Sequence, residues 1–225
     1  MKTSEYKLME DYMLCCMKDS AHDKEHIYRV LYVALDIAGH EKAVDYDVLI
    51  TACLLHDIGR QEQFADPQLC HAAVGADKAY QFLIGHGYGP DFAEKVASCI
   101  KLHRFRTGNP PQKLEEKILF DADKIDATGT LGIARTIFYK GQVNEPLYTL
   151  RENGEVSDGA NDDRPSFFQE YKFKLEKLYS AFYTQRGVEI AKQRQASAVA
   201  FYESMCKEVS PPYETGPLFL KKILE

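Results

Sequence analysis

Apolar residues recur along most of the chain at intervals of three and four, the spacing that places them on one face of an α-helix. Residues 4–18 set Tyr6, Met9, Tyr12, Met13 and Cys16 on one side, with Ser4 available as a cap. Residues 23–39 carry the stripe Ile27, Val30, Leu31, Ala34, Leu35 and Ala38 and stop at Gly39. Asp45 opens a third helix, to Ile58, which is apolar around much of its circumference and is therefore predicted to be central. His56 and Asp57 stand at its C-terminal end. Pro67 precedes a helix over 68–85 whose buried side, Ala72, Ala73, Ala76, Ala79, Tyr80 and Leu83, is mostly small and allows a neighbour to approach closely. After the glycine-rich turn 85–90, a fifth helix carries Phe92, Val96, Cys99, Ile100 and His103, and Gly108-Asn109-Pro110-Pro111 ends it.

Helical spacing resumes with Leu114, Ile118, Leu119, Ala122 and Ile125, although Asp121, Asp123 and Asp126 lie within the same stretch. A further helix is expected over Ala127 to Tyr139, loosened by Gly129 and Gly132. Residues 141–165 are rich in Gly, Asn, Asp and Glu and have no usable period, which predicts a flexible loop with room for a short hairpin. Two long helices are expected between Ser166 and Glu208, closed by Pro211-Pro212. No stretch alternates convincingly, so the predicted fold class is all-α: one domain over residues 1–225, with a core at 20–140, the loop at 141–165 and C-terminal helices at 166–208.

Composition narrows the function. A net charge of -6 and a pI near 5.7 argue against general nucleic-acid or anionic-membrane binding. The N-terminal residues have no apolar signal core, and no stretch approaches the roughly 18 apolar residues of a membrane span, so a soluble, cytoplasmic protein is expected. The six cysteines form no Cys-x-x-Cys pair and fall mostly inside apolar helical patterns, as reduced core residues do. All seven histidines lie between His22 and His103, which confines imidazole chemistry to the first half of the chain.

Within that half, Leu54-Leu55-His56-Asp57-Ile58-Gly59-Arg60 closes an apolar run with two groups that resist burial unless something compensates them. A bound cation would compensate both. His26, the His56-Asp57 pair and an aspartate of the 121–126 cluster supply nitrogen and oxygen ligands from separate helices, which suits a divalent Mn, Fe, Mg, Ni or Zn ion. The alternative for His56-Asp57 is a histidine interacting with the helix dipole beside a solvated aspartate. His40 and His86, each next to glycine, read as ordinary hydrogen-bonded turn residues.

The order of these residues resembles the HD superfamily of metal-dependent phosphohydrolases. Ser20-Ala21-His22-Asp23-Lys24-Glu25-His26-Ile27-Tyr28-Arg29-Val30 is similar to the opening motif of a subgroup of stand-alone bacterial HD-domain hydrolases, and Asp121-Ala122-Asp123-Lys124-Ile125-Asp126-Ala127-Thr128-Gly129 with Gly132-Ile133-Ala134-Arg135 to its distal one. Gly187 to Arg194 resembles its closing helix, so the likeness covers about residues 20–205. The resemblance implies an HD-type helical bundle holding one metal through His26, His56, Asp57 and Asp123. Asp123 is preferred because Ala122-Asp123 and Asp126-Ala127 match the superfamily's Ala-Asp-x-x-Asp-Ala context. His22, Asp121 and Asp126 are then expected to support the ligands or cap helices. His71 and His103 match positions that either hold a second metal or face the substrate, and both alternatives stay open.

A divalent ion acidifies a bound water and neutralises phosphoryl charge. Asp57 is expected to orient that water, with Arg60 and Lys124, and more remotely Arg104 and Arg106, as phosphate-facing cations. The function so implied is hydrolysis of a phosphomonoester or pyrophosphate bond in a small phosphorylated metabolite, a nucleotide above all. The alternatives are a nucleotide- or metal-sensing module without turnover, and an alarmone or cyclic-nucleotide hydrolase. The second is weakened because Arg104-Phe105-Arg106 stands where cyclic-dinucleotide enzymes carry Gly-Tyr-Pro. The aromatic-rich C-terminal helices offer a face for a homodimer.

Overall fold

The computed structural model describes residues 1–17, 24–104 and 110–225. Among the described residues there are ten α-helices, one 3-10 helix and a single isolated β-bridge, so the chain is all-α as its periodicity predicts. It divides into two compact units, one of Met1–Asp126 with Phe182–Val188 and one of Ala127–Ala181 with Glu189–Glu225.

The first unit contains α1 (Thr3–Cys16), α2 (Lys24–Ala38), α3 (Tyr46–Leu55), α4 (Arg60–Ala65), α5 (His71–Gly85), α6 (Pro90–Leu102) and α7 (Leu114–Asp126). Asp45 caps α3 by accepting from the Val48 N–H, whereas α1 begins one residue before Ser4 and has Lys2 at its cap position. Helix α3 packs against α1, α2, α6 and α7, and seven of its ten residues are buried, which accounts for its nearly continuous apolar surface. It ends at Leu55, earlier than its apolar run suggests, and residues 56–59 turn the chain into the short α4, which periodicity alone does not reveal.

That corner depends on Gly59. A Cβ there would stand 2.3 Å from the His71 carbonyl oxygen and 2.7 Å from the Gly75 nitrogen, so only glycine lets the corner lie against the first turn of α5. Residues 182–188 are tied to the same unit at two points. Asp121 accepts hydrogen bonds from the Tyr183 and Thr184 N–H groups and the Thr184 hydroxyl, while Arg186 donates to Asp36 on α2.

The second unit holds α8 (Gly129–Gln142), α9 (Phe167–Phe173), a 3-10 helix (Leu175–Ser180) and the bulk of α10 (Gln185–Leu224). Its core gathers Ile133, Phe167, Phe168, Tyr171, Leu175, Leu178, Ala198 and Tyr202, with Tyr171 stacked on Tyr202 at 4.0 Å between ring centroids. The first of the two long helices expected after Ser166 is in fact broken at Lys174, and the second continues past Pro211 and Pro212 to Leu224. The carbonyls of Lys207, Glu208 and Tyr213, which lose their helical N–H partners to Pro211, Pro212 and Pro217, belong to exposed residues where water can serve them. Within 141–165, Leu150 and Val156 form an antiparallel bridge flanked by the Arg151 N–H to Glu155 and Ser157 N–H to Thr149 carbonyl bonds. No helix among the described residues is long and apolar enough to cross a membrane.

Candidate metal centre

Helix ends converge on one buried point of the first unit. His56 and His103 occupy the C-cap positions of α3 and α6, His71 is the first residue of α5, and His26 lies in the first turn of α2. The last turn of α7 adds Asp123 and Asp126, and the residue after His56 adds Asp57. All four imidazoles are at most 2 % exposed and Asp57 is fully buried.

The side chains fall into two groups of three, His26 with His56 and Asp123, and Asp57 with His71 and His103, and within each group one ligand atom per residue lies within 4.8 Å of the others. Asp57 stands between them. Its Oδ2 is 3.5 Å from His26 Nε2 and 3.8 Å from His56 Nε2, while its Oδ1 is 3.5 Å from His71 Nε2 and 3.6 Å from His103 Nε2. Asp123 Oδ1 lies 3.5 Å from His26 Nε2 and 3.9 Å from His56 Nε2.

The protonation pattern follows from what each Nδ1 meets. His56 Nδ1 faces the Cys53 carbonyl at 2.7 Å, His103 Nδ1 the Ile100 carbonyl at 2.6 Å, His71 Nδ1 the Gln63 amide oxygen at 2.7 Å and His26 Nδ1 the Asp126 carboxylate at 2.7 Å. Each Nδ1 is therefore placed to donate to its acceptor, which turns every Nε2 toward the centre. Burial keeps two of the rings neutral, pushing His56 down to about 4 and, with the Arg60 charge beside it, His71 down to about 2. Burial alone would raise the Asp57 carboxyl, but Arg60 and then the neighbouring histidines hold it well below the usual carboxylate range. Asp123 behaves likewise: His103, His26 and His56 outweigh its burial and hold it at about 2.

This donor set fits a divalent cation. Nε2 atoms crowd together around Asp57, at 3.4 Å (His26 and His56) and 3.3 Å (His71 and His103). Both oxygens of Asp57 are buried without a hydrogen-bond partner. A positive charge at the centre satisfies all of them at once.

Around the centre, Arg60 Nε lies 3.0 Å from Asp57 Oδ1 as an ion pair that lacks hydrogen-bond alignment. Lys124 is 7 % exposed, with its ammonium 4.1 Å from the Phe120 ring centroid, and it acts on Asp123 as a neighbouring charge. Arg104 reaches the Cys70 sulfur at 3.7 Å. Asp121 points toward Tyr183 and Thr184, and burial raises its pKa despite the hydrogen bonds it receives there. Asp126 supports the His26 ring. His40 and His86 are exposed and bond the Asp36 and Phe82 carbonyls of their own helices. His22 and Arg106 lie outside the described residues. Two contributors were not singled out from sequence: Arg29, which forks onto Asp126, and Gln63, which holds His71. Arg29 lies three residues after His26, on the same helical face, and this spacing is a usable signal. Gln63 offers none.

The HD domain family model matches residues 24–128, a span that includes every residue of the centre. The Bacillus subtilis protein YpgQ is 28 % identical over 197 residues, 85 % of this chain and 86 % of its own length. A crystal structure of YpgQ in complex with ADP superposes with a TM-score of 0.70 at 26 % identity, covering 92 % of this chain and 99 % of that one. A structure from an uncultured Thermotogales bacterium, described as a predicted HD superfamily hydrolase, gives a TM-score of 0.61 at 27 % identity, covering 92 % of this chain and 99 % of that one. A Lactobacillus plantarum protein at 22 % identity shares the fold with a TM-score of 0.74, covering 92 % of this chain and 98 % of its own. With the His-Asp pair at the meeting point of these helices and the family match spanning it, residues 24–128 are an HD domain, and the chain as a whole is similar to stand-alone bacterial proteins such as YpgQ.

Proposed function

We propose that this protein is a metal-dependent phosphohydrolase that cleaves a phosphomonoester or pyrophosphate bond of a small phosphorylated metabolite, with a nucleotide as the substrate class. The observation that carries this reading is the Asp57 carboxylate, fully buried, without a hydrogen-bond partner, and set between four imidazole nitrogens. His26, His56, Asp57 and Asp123 would hold the ion, and His71 and His103 complete the opposite side of Asp57. When bound, a divalent ion supplies water activation and charge neutralisation at phosphorus.

The chain's own groups do the rest. Arg60, about a quarter exposed and ion-paired with Asp57, offers its remaining guanidinium N–H groups to phosphate oxygens. Burial of the four rings excludes bulk solvent from the reacting centre and strengthens each charge interaction there. Lys124 contributes positive charge beside Asp123 and is held by Phe120, which fits a field-setting role better than direct contact with phosphate. The ADP complex of YpgQ supports the nucleotide class.

The test is an activity matrix of metals (Mn²⁺, Ni²⁺, Mg²⁺, Zn²⁺) against nucleoside mono-, di- and triphosphates and a chromogenic phosphomonoester, on the wild type and Asp57→Ala. Hydrolysis that needs metal and disappears in Asp57→Ala is expected. Failure of every combination with the wild type, alongside tight nucleotide binding, would replace this reading with that of a sensing module.

A further inference from the structure

The two groups of the centre are supported unequally. Around Asp57, His71 and His103, the Nδ1 acceptors are uncharged: the Gln63 amide and the Ile100 carbonyl. On the other side His26 Nδ1 donates to a carboxylate, Asp126 Oδ2, at 2.7 Å, and that carboxylate is 3 % exposed. Arg29 closes on it as a fork, with Nε 2.7 Å from Oδ1 and an Nη 3.1 Å from Oδ2. His26, Asp126 and Arg29 thus form a charged chain from the centre toward solvent, where Arg29 retains about a third of its exposure.

We propose that Arg29 is a positioning residue for metal loading. Acting through Asp126, it fixes the rotation of the His26 ring and keeps the His26, His56 and Asp123 group assembled before any ion arrives, so that this group fills first. The physical reasons are two. A carboxylate behind an imidazole raises the basicity of the opposite nitrogen and fixes its direction, an effect on metal affinity of about 10- to 100-fold. A buried carboxylate with no countercharge would be free to swing toward solvent or to protonate, and a planar two-point guanidinium clamp prevents both. Arg29 also links α2 to α7, the helices that carry His26 and Asp123, so the same fork sets the spacing of two ligands. By contrast the Asp57, His71 and His103 group is flanked by Arg60, whose charge opposes a second cation.

This inference rests on the metal-centre reading but not on turnover, so it is tested by binding in the absence of substrate. Metal-stripped wild type, Arg29→Ala, Arg29→Lys and Gln63→Ala are titrated with Mn²⁺ by calorimetry, and the thermal midpoint of each metal-free protein is recorded. Arg29→Ala is expected to weaken the tightest Mn²⁺ equivalent by about 10-fold or more, and Arg29→Lys, which keeps the charge but not the fork, by less. Gln63→Ala should leave that equivalent within about twofold. If Arg29→Ala does not fold, Arg29→Lys carries the test, with a loss of at least about threefold expected. An Arg29 variant that folds and binds the tightest equivalent as the wild type does overturns the proposal, as does a larger loss in Gln63→Ala. A wild type that binds no Mn²⁺ refutes the centre itself, a different result from either.

Discussion

Gly59 and Gly75 pass each other with no room for a side chain: a Cβ on Gly59 would stand 2.7 Å from the Gly75 nitrogen and 3.2 Å from its Cα. The contact sets the corner after α3 against the start of α5 and so places Asp57 beside His71. Gly59→Ala is therefore expected to destabilise the fold by about 1–3 kcal/mol or more, since the opposing atoms are backbone and cannot swing aside. It should also weaken metal binding beyond what its stability loss explains. Denaturant titration with and without Mn²⁺ reads both, and a variant as stable as the wild type would show that the corner relaxes freely.

Metal removal should have a measurable thermodynamic cost. An ion that binds the folded state alone stabilises it by about 2.7 kcal/mol at 100 times its dissociation constant, which for a chain of this size is a rise of roughly 5–10 °C in Tm. Chelator-treated protein should therefore melt lower than protein in excess Mn²⁺. His56→Ala should abolish the difference, because it deletes a ligand whose ring is fully buried. A shift of equal size in His56→Ala would place the stabilising ion elsewhere.

Two of the three aspartates of α7, Asp121 and Asp123, should separate by phenotype. Asp121 holds residues 183 and 184 through three donors, so Asp121→Ala is expected to cost about 2–4 kcal/mol of stability and to leave Mn²⁺ stoichiometry intact in the fraction that remains folded. Asp123, about a fifth exposed and facing the imidazoles, should show the converse, near-native stability without metal and lost hydrolysis. Calorimetry and unfolding curves on the two variants decide the matter, and equal losses of binding in both would contradict the division.

Glu116 gives the fold a defined acid response away from the centre. Burial would raise its carboxyl, yet the Ser98 hydroxyl and the Lys113 and Gln112 N–H groups bond the ionised form and hold it below its ordinary value of 4.5. A carboxyl depressed in the folded state stabilises above its unfolded pKa, and that contribution is lost as pH falls through the folded value. Glu116→Gln should cost about 1 kcal/mol near neutrality and approach the wild type below about pH 4. Parallel stability curves from pH 7 down to pH 3 would rule this out.

Much of this was open to a reader of the sequence because it is local. The three-and-four periodicity yields the helices, and the capping power of Asp45 yields the start of α3. The candidate ligand residues cluster in recognisable order, and His26, His56, Asp57, His71, His103 and Asp123 do meet in space. What stayed hidden depends on partners distant in the chain. Helix α4 exists because Gly59 must turn against α5, and its six residues are too few to show a period. Asp121, Asp123 and Asp126 are told apart in sequence only by the resemblance, while the hydrogen bonds that Asp121 accepts from residues 183 and 184 come from a distant part of the chain. Gln63 acquires its task by a contact eight residues away, across a turn. Pro211 and Pro212 predict a stop that exposure to water makes unnecessary.

The rings of His56 and His103 are held by the main-chain carbonyls of Cys53 and Ile100, each three residues earlier. A carbonyl is present whatever side chain occupies the position, so these two orientations are inherited from the way α3 and α6 end. Substitutions at Cys53 or Ile100 can therefore drift freely as far as those hydrogen bonds are concerned. The other two rings depend on Asp126 and Gln63 by name, so genetic change can detach them one at a time. Loss of this ring geometry is therefore expected to begin at those two residues.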